Sequence, residues 1–294
     1  MPLYVINTNS NFTSHFCSRL MLATALSSAL ILAGCATAGA PGSQATTASH
    51  VTSPSNPPSD SNALREAAIS SSKTQDYVAA AAYWGNLYDR DGNDIEAALN
   101  YSKSLRQIGS IAQSLSVMKR AQQAKPNDAE VLAEYGKALA ASGHPDQAAG
   151  VLAQANQLNP GDWTVLSAQG VAFDQMGRYA DAQSKYNEAL LIDPNNPSVL
   201  TNLGLSLAIE GKLDEAEQTL RKAVANPSAN ASARQNLSVV LGLQGKFDEA
   251  TRLARADLPN NIADNNIAYL RDMLTQPALW KQMENLDKSA PPTH

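Results

Sequence analysis

The chain is poor in the residues on which most enzymes and nucleic-acid-binding proteins depend. Its 294 residues include two cysteines and four histidines, and aromatic residues make up 5% of the total. Lysine and arginine number 22 against 27 acidic residues, so the formal net charge is −5. Because binding to phosphates requires clustered lysine and arginine, we expect no nucleic-acid partner. The scarcity of aromatic and β-branched runs favours helices over sheets.

The cysteines and histidines are scattered instead of clustered. No spacing among them suits a metal ion, and no glycine-rich loop suits a phosphate. The acidic pairs Asp214-Glu215 and Asp248-Glu249 are expected to complement helix dipoles. We therefore predict no catalytic residue, no metal, no cofactor and no small-molecule substrate. The histidines are His15, His50, His144 and His294.

The N-terminal region has the features of an export signal. Residues 20–32 read LMLATALSSALIL, an uncharged stretch that follows Arg19. As a helix this stretch would be about 20 Å long, which is shorter than a hydrocarbon core of about 30 Å. The stretch therefore favours the apolar region of a signal peptide over a membrane span.

The sequence Leu32-Ala33-Gly34-Cys35 follows directly and resembles the lipobox of bacterial lipoproteins. The resemblance implies cleavage after residue 34 and attachment of lipid, including palmitate, at Cys35. An ordinary signal peptide with an incidental cysteine is the alternative. Ala36, where an Asp would favour retention at the inner membrane, implies an outer-membrane anchor that faces the periplasm.

A polar stretch follows the cysteine. Residues 35–60 are rich in Ala, Thr, Ser, Gly and Pro and carry no charge before Asp60. Such a composition buries too little apolar surface to offset the entropy of ordering. We predict a flexible tether.

The remainder has a period of 34 residues. This period predicts repeated pairs of helices. In each pair, a recurrent glycine in the left-handed conformation would end the first helix, and a recurrent proline would stop the second. Recurrent alanines would allow the helices to pack closely. The glycines are Gly109, Gly143, Gly177, Gly211 and Gly245; the prolines are Pro126, Pro160 and Pro194, with Pro227 one residue early; one alanine series is Ala148, Ala182, Ala216 and Ala250.

The segments GRYADAQSKYNEALLIDPNN (177–196) and NLGLSLAIEGKLDEAEQTLRKAV (202–224) resemble the tetratricopeptide (TPR) repeat. The resemblance implies an all-α solenoid of six helix pairs over residues 61–264. The first unit is atypical, with Gln75 at the turn glycine, and so is the sixth, with Asp257 at a packing alanine. Units begin at residues 61, 95, 129, 163, 197 and 231.

The C-terminal region is predicted to cap the solenoid. Residues 265–277 look like a lone first helix laid over the sixth unit, and Pro277 would end it. A second helix would place Leu279, Trp280, Met283 and Leu286 on one face. The capping helices are predicted over 265–288, and a disordered tail over 289–294.

The resemblance further implies that first helices line a concave face that holds a partner. In units four to six this face is predicted to be an apolar groove; the alternatives are burial by neighbouring repeats or filling by the Trp280 helix. In units two and three it is predicted to be a polar, solvated rim with Lys103, Arg106, Glu130 and Lys137. The candidate groove residues are Val171, Asn202, Leu205, Ile209, Asn236, Val239, Leu243 and Tyr269.

As a whole, the chain resembles the TadD family of TPR lipoproteins, which belong to tight-adherence (Flp) pilus systems. The matching features are the lipobox, the tether, about six TPR units and the NNIAYLRDML-like end. The resemblance implies a scaffold that places or assembles the pilus secretin at the outer membrane, with secretin or pilus proteins as partners. A scaffold for peptidoglycan hydrolases, and a structural lipoprotein that fills its own groove, are the alternatives.

Overall fold

The computed structural model describes residues 60–275, and every regular element within that range is an α-helix. The first twelve helices form six pairs, and α13 lies against the sixth. This arrangement confirms the predicted all-α TPR solenoid with a C-terminal helix. The helices are α1 (Ser61–Lys73), α2 (Tyr77–Arg90), α3 (Ile95–Gln107), α4 (Ile111–Ala124), α5 (Ala129–Ala141), α6 (Pro145–Leu158), α7 (Trp163–Gln175), α8 (Tyr179–Ile192), α9 (Pro197–Ile209), α10 (Leu213–Ala225), α11 (Ala231–Leu243), α12 (Phe247–Ala254) and α13 (Asn260–Thr275).

The turn within each pair is a Schellman motif, in which two backbone N–H groups reach back to the end of the first helix. At the end of α3, Ser110 N–H donates to the Leu105 carbonyl at 2.8 Å, and Gly109 N–H donates to the Arg106 carbonyl at 3.2 Å. Gly109 has φ +80°, which an L side chain rarely adopts. The other recurrent glycines also have positive φ, as predicted, and Gln75 takes the same conformation at φ 62°.

Capping side chains begin the first helices. Before α3, the carboxylate of Asp94 accepts the Ala97 N–H at 2.9 Å, which satisfies a donor that the helix cannot pair itself. Before α9, the Asn196 side-chain oxygen accepts from both Ser198 and Val199. The second helices α4, α6, α8 and α10 end within two residues of the predicted stop prolines.

Close contact between the helices of a pair depends on small residues. A Cβ on Gly136 would fall 2.5 Å from Leu152 Cγ, and one on Gly204 would fall 2.6 Å from Leu220 Cγ. In the sixth pair, Ser238 takes the glycine position and donates to the Ala250 carbonyl at 2.7 Å. The predicted alanines at 148, 182, 216 and 250 are fully buried.

The sixth pair is shorter than the others. Its second helix, α12, spans only Phe247–Ala254, and Asp257 beyond it accepts hydrogen bonds from Arg234. Helix α13 then begins at Asn260, five residues before the predicted start at 265, and packs on α11 and α12. The Pro259 carbonyl accepts from Ile262 and Ala263 in the first turn of α13. The early start follows from the shortened second helix.

Several predictions concern residues outside the described range of 60–275. They are the leader with Leu32, Ala33 and Gly34, the lipid site Cys35, most of the tether, the helix with Trp280 and the C-terminal tail. Among the described helices, none is both long enough and apolar enough to cross a membrane.

Candidate protein-interaction face

The first helices of the pairs form one side of the stack, which we call the inner face. Successive first helices contact one another directly, from α3 with α5 through to α11 with α13. The second helices within residues 60–275 make no comparable contacts among themselves. Because the first helices lie closer together, the stack curves toward them, as predicted for a TPR concave face.

Four predicted groove residues form an apolar row along the inner face. Val171, Leu205 and Val239 are each the ninth residue of their helix, and Tyr269 extends the row on α13. The side chain of Val239 is 38% exposed, and the other three are half-buried. We call these four residues the apolar row. It presents apolar surface to solvent above a hydrophobic core that extends from α7 to α13.

Several of the predicted groove residues are partly engaged within the solenoid. Leu243 and Val171 pack against the core cluster, so only part of each is available to a partner. Ile209 is half-buried at the end of α9. Asn202 donates from its amide nitrogen to Ser167 Oγ at 3.2 Å, which joins α9 to α7. Asn236 is half-buried, and its side chain forms no hydrogen bond within residues 60–275.

The polar part of the inner face, in pairs two and three, is less solvated than the sequence predicts. Arg106 donates from Nε and Nη2 to the two carboxylate oxygens of Glu134, each at 2.9 Å, and Ser102 also donates to that carboxylate. The side chain of Glu134 is only 3% exposed. The prediction of a solvated rim is therefore wrong for Arg106, because the buried carboxylate of Glu134, which the sequence does not single out, binds its guanidinium.

Lys137 departs from the predicted rim in the same way. It is half-buried, and its Nζ donates to Thr164 Oγ1 on α7 at 2.8 Å. Burial lowers the pKa of Lys137, and the positive charges of Arg106 and Lys103 lower it further. The negative charges of Glu134 and Asp162 act to raise this pKa but do not outweigh the burial. Lys103 and Glu130, by contrast, are exposed as predicted.

A second buried carboxylate lies between pairs four and five. Tyr186 OH donates to Asp174 Oδ2 at 2.7 Å, and Ser206 Oγ donates to Asp174 Oδ1 at 2.6 Å. Asp174 is 5% exposed, and within the described part of the chain it has no cation in contact. Burial raises the pKa of Asp174 to about 7, although both hydrogen bonds act to lower it. Burial and the adjacent carboxylate raise the pKa of Tyr186 well above its usual value, so Tyr186 remains a donor.

The sequence carries only a weak signal for this network. Asp174 occupies the register of Arg106, one residue before the end of its helix, where pairs three, five and six carry Ala or Gly. An acidic residue at a position where most repeats have a small residue does not by itself indicate burial. Burial can be inferred only once the hydroxyl groups that donate to the carboxylate are identified. The 34-residue period alone does not identify them.

A wide cleft of about 500 Å³ lies between the start of α12 and the C-terminal half of α13. Its walls include Phe247, and the Arg271 guanidinium lies 4.7 Å from the centre of that ring. Asp248 and Glu249 lie in the first turn of α12, the location predicted for dipole-complementing acids. The described residues contain no group of three or more His, Cys, Asp or Glu that could hold a metal ion.

Comparison with known proteins supports the same fold. TPR family models match residues 105–170, 167–233 and 230–258. The thermophilic TPR protein TTC0263 of Thermus thermophilus is 19% identical, with 62% of this chain and 99% of that chain covered and a TM-score of 0.56. MamA of MSR-1 is 26% identical over 56% of this chain and 94% of its own, with a TM-score of 0.44. No curated protein gives a significant match. The chain is a tetratricopeptide repeat protein.

Proposed function

We propose that this protein is a scaffold that binds a partner protein along its inner face. The apolar row is the observation that supports the proposal, because its partly exposed apolar side chains lie in one register on adjacent helices, and such a patch usually meets another molecule. TPR proteins typically serve as scaffolds that bind other proteins, and the family models that match this chain are all TPR models. The partner for this face is a protein segment with apolar side chains.

The proposal also places the scaffold at the bacterial outer membrane. The support is the sequence around Leu32–Cys35 and the composition of residues 35–60. A protein with one acyl chain would bind a membrane only marginally, whereas several chains on Cys35 would anchor it stably. From its resemblance to the TadD family, we propose a role in placing or assembling the secretin of a tight-adherence pilus apparatus.

The groove is tested with Leu205→Asp combined with Val239→Asp in the full-length protein. Two new carboxylates in the apolar row would have to lose their hydration against an apolar partner, so binding is expected to be abolished. Leu191 and Val78 provide the matched control, because they are 84% and 69% exposed on the second helices α8 and α2. The control pair Leu191→Asp and Val78→Asp is expected to retain binding.

Because Leu205 is half-buried, Val239→Asp alone is measured alongside the double variant. Circular dichroism and thermal unfolding establish that each variant is folded. Binding is measured by cross-linking in native envelopes and identification of partners by mass spectrometry. Unchanged binding by the folded double variant would contradict the groove assignment.

The same experiment tests the biological role. Recovery of a secretin and pilus proteins, lost with Cys35→Ala, is the expected result. Recovery of peptidoglycan hydrolases instead would overturn the pilus role and leave the groove intact. Incorporation of labelled palmitate, dependent on Cys35, and separation of membranes by density test the anchor and its outer-membrane location.

A further inference from the structure

The ninth residues of the first helices change character along the inner face. Lys137 on α5 lies in the register that Val171 occupies on the neighbouring helix α7, and α5 contacts α7. The apolar row therefore leads directly to an ammonium group. Adjacent packed helices lie about 8–10 Å apart, which corresponds to about three residues of an extended peptide.

Within residues 60–275, Lys137 is a half-buried cation of this face with one hydrogen bond, which it donates to a hydroxyl. Its Nζ contacts Thr164 Oγ1 at 2.8 Å and forms no ion pair within residues 60–275. A cation removed from water without a carboxylate partner loses hydration that a single hydroxyl does not replace. A negative group in direct contact with Nζ would restore part of that lost interaction.

The neighbouring carboxylates are already engaged or too distant. The Glu134 carboxylate accepts hydrogen bonds from Nε and Nη2 of Arg106. The Asp162 carboxylate caps α7 and accepts the Thr164 N–H at 2.8 Å. Glu130 is exposed in the first turn of α5, about 10 Å along the helix axis from Lys137. Lys103, one helix away in the same register, adds a second positive charge.

We infer that the partner segment held by the apolar row also carries a carboxylate, about three residues from its apolar side chain at Val171, and that this carboxylate pairs with Lys137. The inference rests on the proposed protein-binding function of the inner face. It specifies the partner chemistry as an apolar segment with an acidic residue at one end.

A random dodecamer peptide library displayed on phage provides the probe. The full-length protein selects binders, and the Leu205→Asp, Val239→Asp variant removes those that do not use the groove. The expected binders combine apolar residues with an Asp or Glu, and each is synthesised with the acid and with the matching amide. Lys137→Gln is expected to weaken binding of the acidic peptide about tenfold and to leave the amide peptide unaffected.

Lys119→Gln is the matched control, because Lys119 is exposed on the second helix α4, and it is expected to change nothing. Groove-dependent peptides that bind equally well as acid and amide, or that ignore Lys137→Gln, would overturn this inference and leave the groove in place. A selection that yields no groove-dependent peptide would overturn the proposed groove and the inference together. Thermal unfolding of Lys137→Gln separates lost binding from lost structure.

Discussion

The ring of Tyr186 lies directly against the backbone of Gly170. A Cβ built on Gly170 would fall 2.5 Å from Cε1 of Tyr186, a separation that real Cβ atoms do not show. Tyr186 is 1% exposed and cannot move outward without leaving the core. The helices α7 and α8 therefore approach each other only because residue 170 has no side chain.

Gly170→Ala is expected to destabilise the protein by about 1–3 kcal/mol, because overpacking exceeds the gain in helix propensity. The matched control is Gly150→Ala in α6, where a Cβ meets nothing within 4 Å. That change is expected to stabilise the protein by about 0.5–1 kcal/mol. Denaturant unfolding measures the free energy of unfolding of both variants. If Gly170→Ala did not lose stability, the proposed packing would be contradicted.

Gln75→Gly is expected to stabilise the first helix pair. Gln75 has φ 62° at the turn where the next five pairs have glycine. A non-glycine residue in the left-handed region costs about 1–2 kcal/mol, part of which is offset by the greater freedom of glycine in the unfolded chain. Hydrogen exchange of α1 and α2 reports the change locally. Gly177→Ala, which imposes the same strain at φ 72°, is expected to destabilise the fourth pair.

Asp174→Asn is expected to remove a pH dependence of stability. Asp174 has a pKa of about 7 when folded against a usual value of 3.8, so the folded state binds its proton more tightly. The tighter binding of this proton stabilises the folded state fully below about pH 4, and this stabilisation is lost as the pH rises through about 7. Between these values the free energy of unfolding falls by about 1.4 kcal/mol per pH unit. Above that window the Asn variant should be the more stable protein.

Urea unfolding across this pH range checks the prediction for Asp174. The control is Asp89→Asn, which makes the same chemical change at an exposed position on α2. An Asp174→Asn variant with the slope of the parent protein would show that Asp174 does not titrate in this range.

Arg106→Met is expected to cost about 3–5 kcal/mol, because it leaves the Glu134 carboxylate buried without its cation. Removing both charges, as Arg106→Met with Glu134→Leu, should recover much of that loss, since no buried charge remains. A double-mutant cycle in urea measures the coupling. Equal losses in the single and the double variants would mean that Glu134 is adequately solvated without Arg106.

The features that the sequence predicted are those that recur from repeat to repeat. The turn glycines, the stop prolines and the packing alanines have the same physical role in each pair, so their period reveals that role. Gly109 and Pro126 are examples: one takes a left-handed conformation and the other follows the end of α4. The row of ninth residues follows from the same register.

The features that the sequence did not predict belong to single repeats. Glu134 lies six residues into its unit and meets Arg106 from the preceding unit, and no other pair has this combination. Asp174 meets Ser206 across the junction between pairs four and five. Such contacts depend on the three-dimensional distance between adjacent first helices, which a pattern within one repeat does not contain. The early start of α13 depends likewise on where α12 ends.

Each helix makes its main contacts with the next helix or the one after it. A pulling force on one end of the solenoid would therefore detach helix pairs in order, because no element within residues 60–275 ties distant repeats together. Each pair would release about 110–120 Å of extended chain, given a reach of about 3.3–3.6 Å per residue. Under tension, the solenoid would lengthen stepwise while its remaining repeats stayed folded.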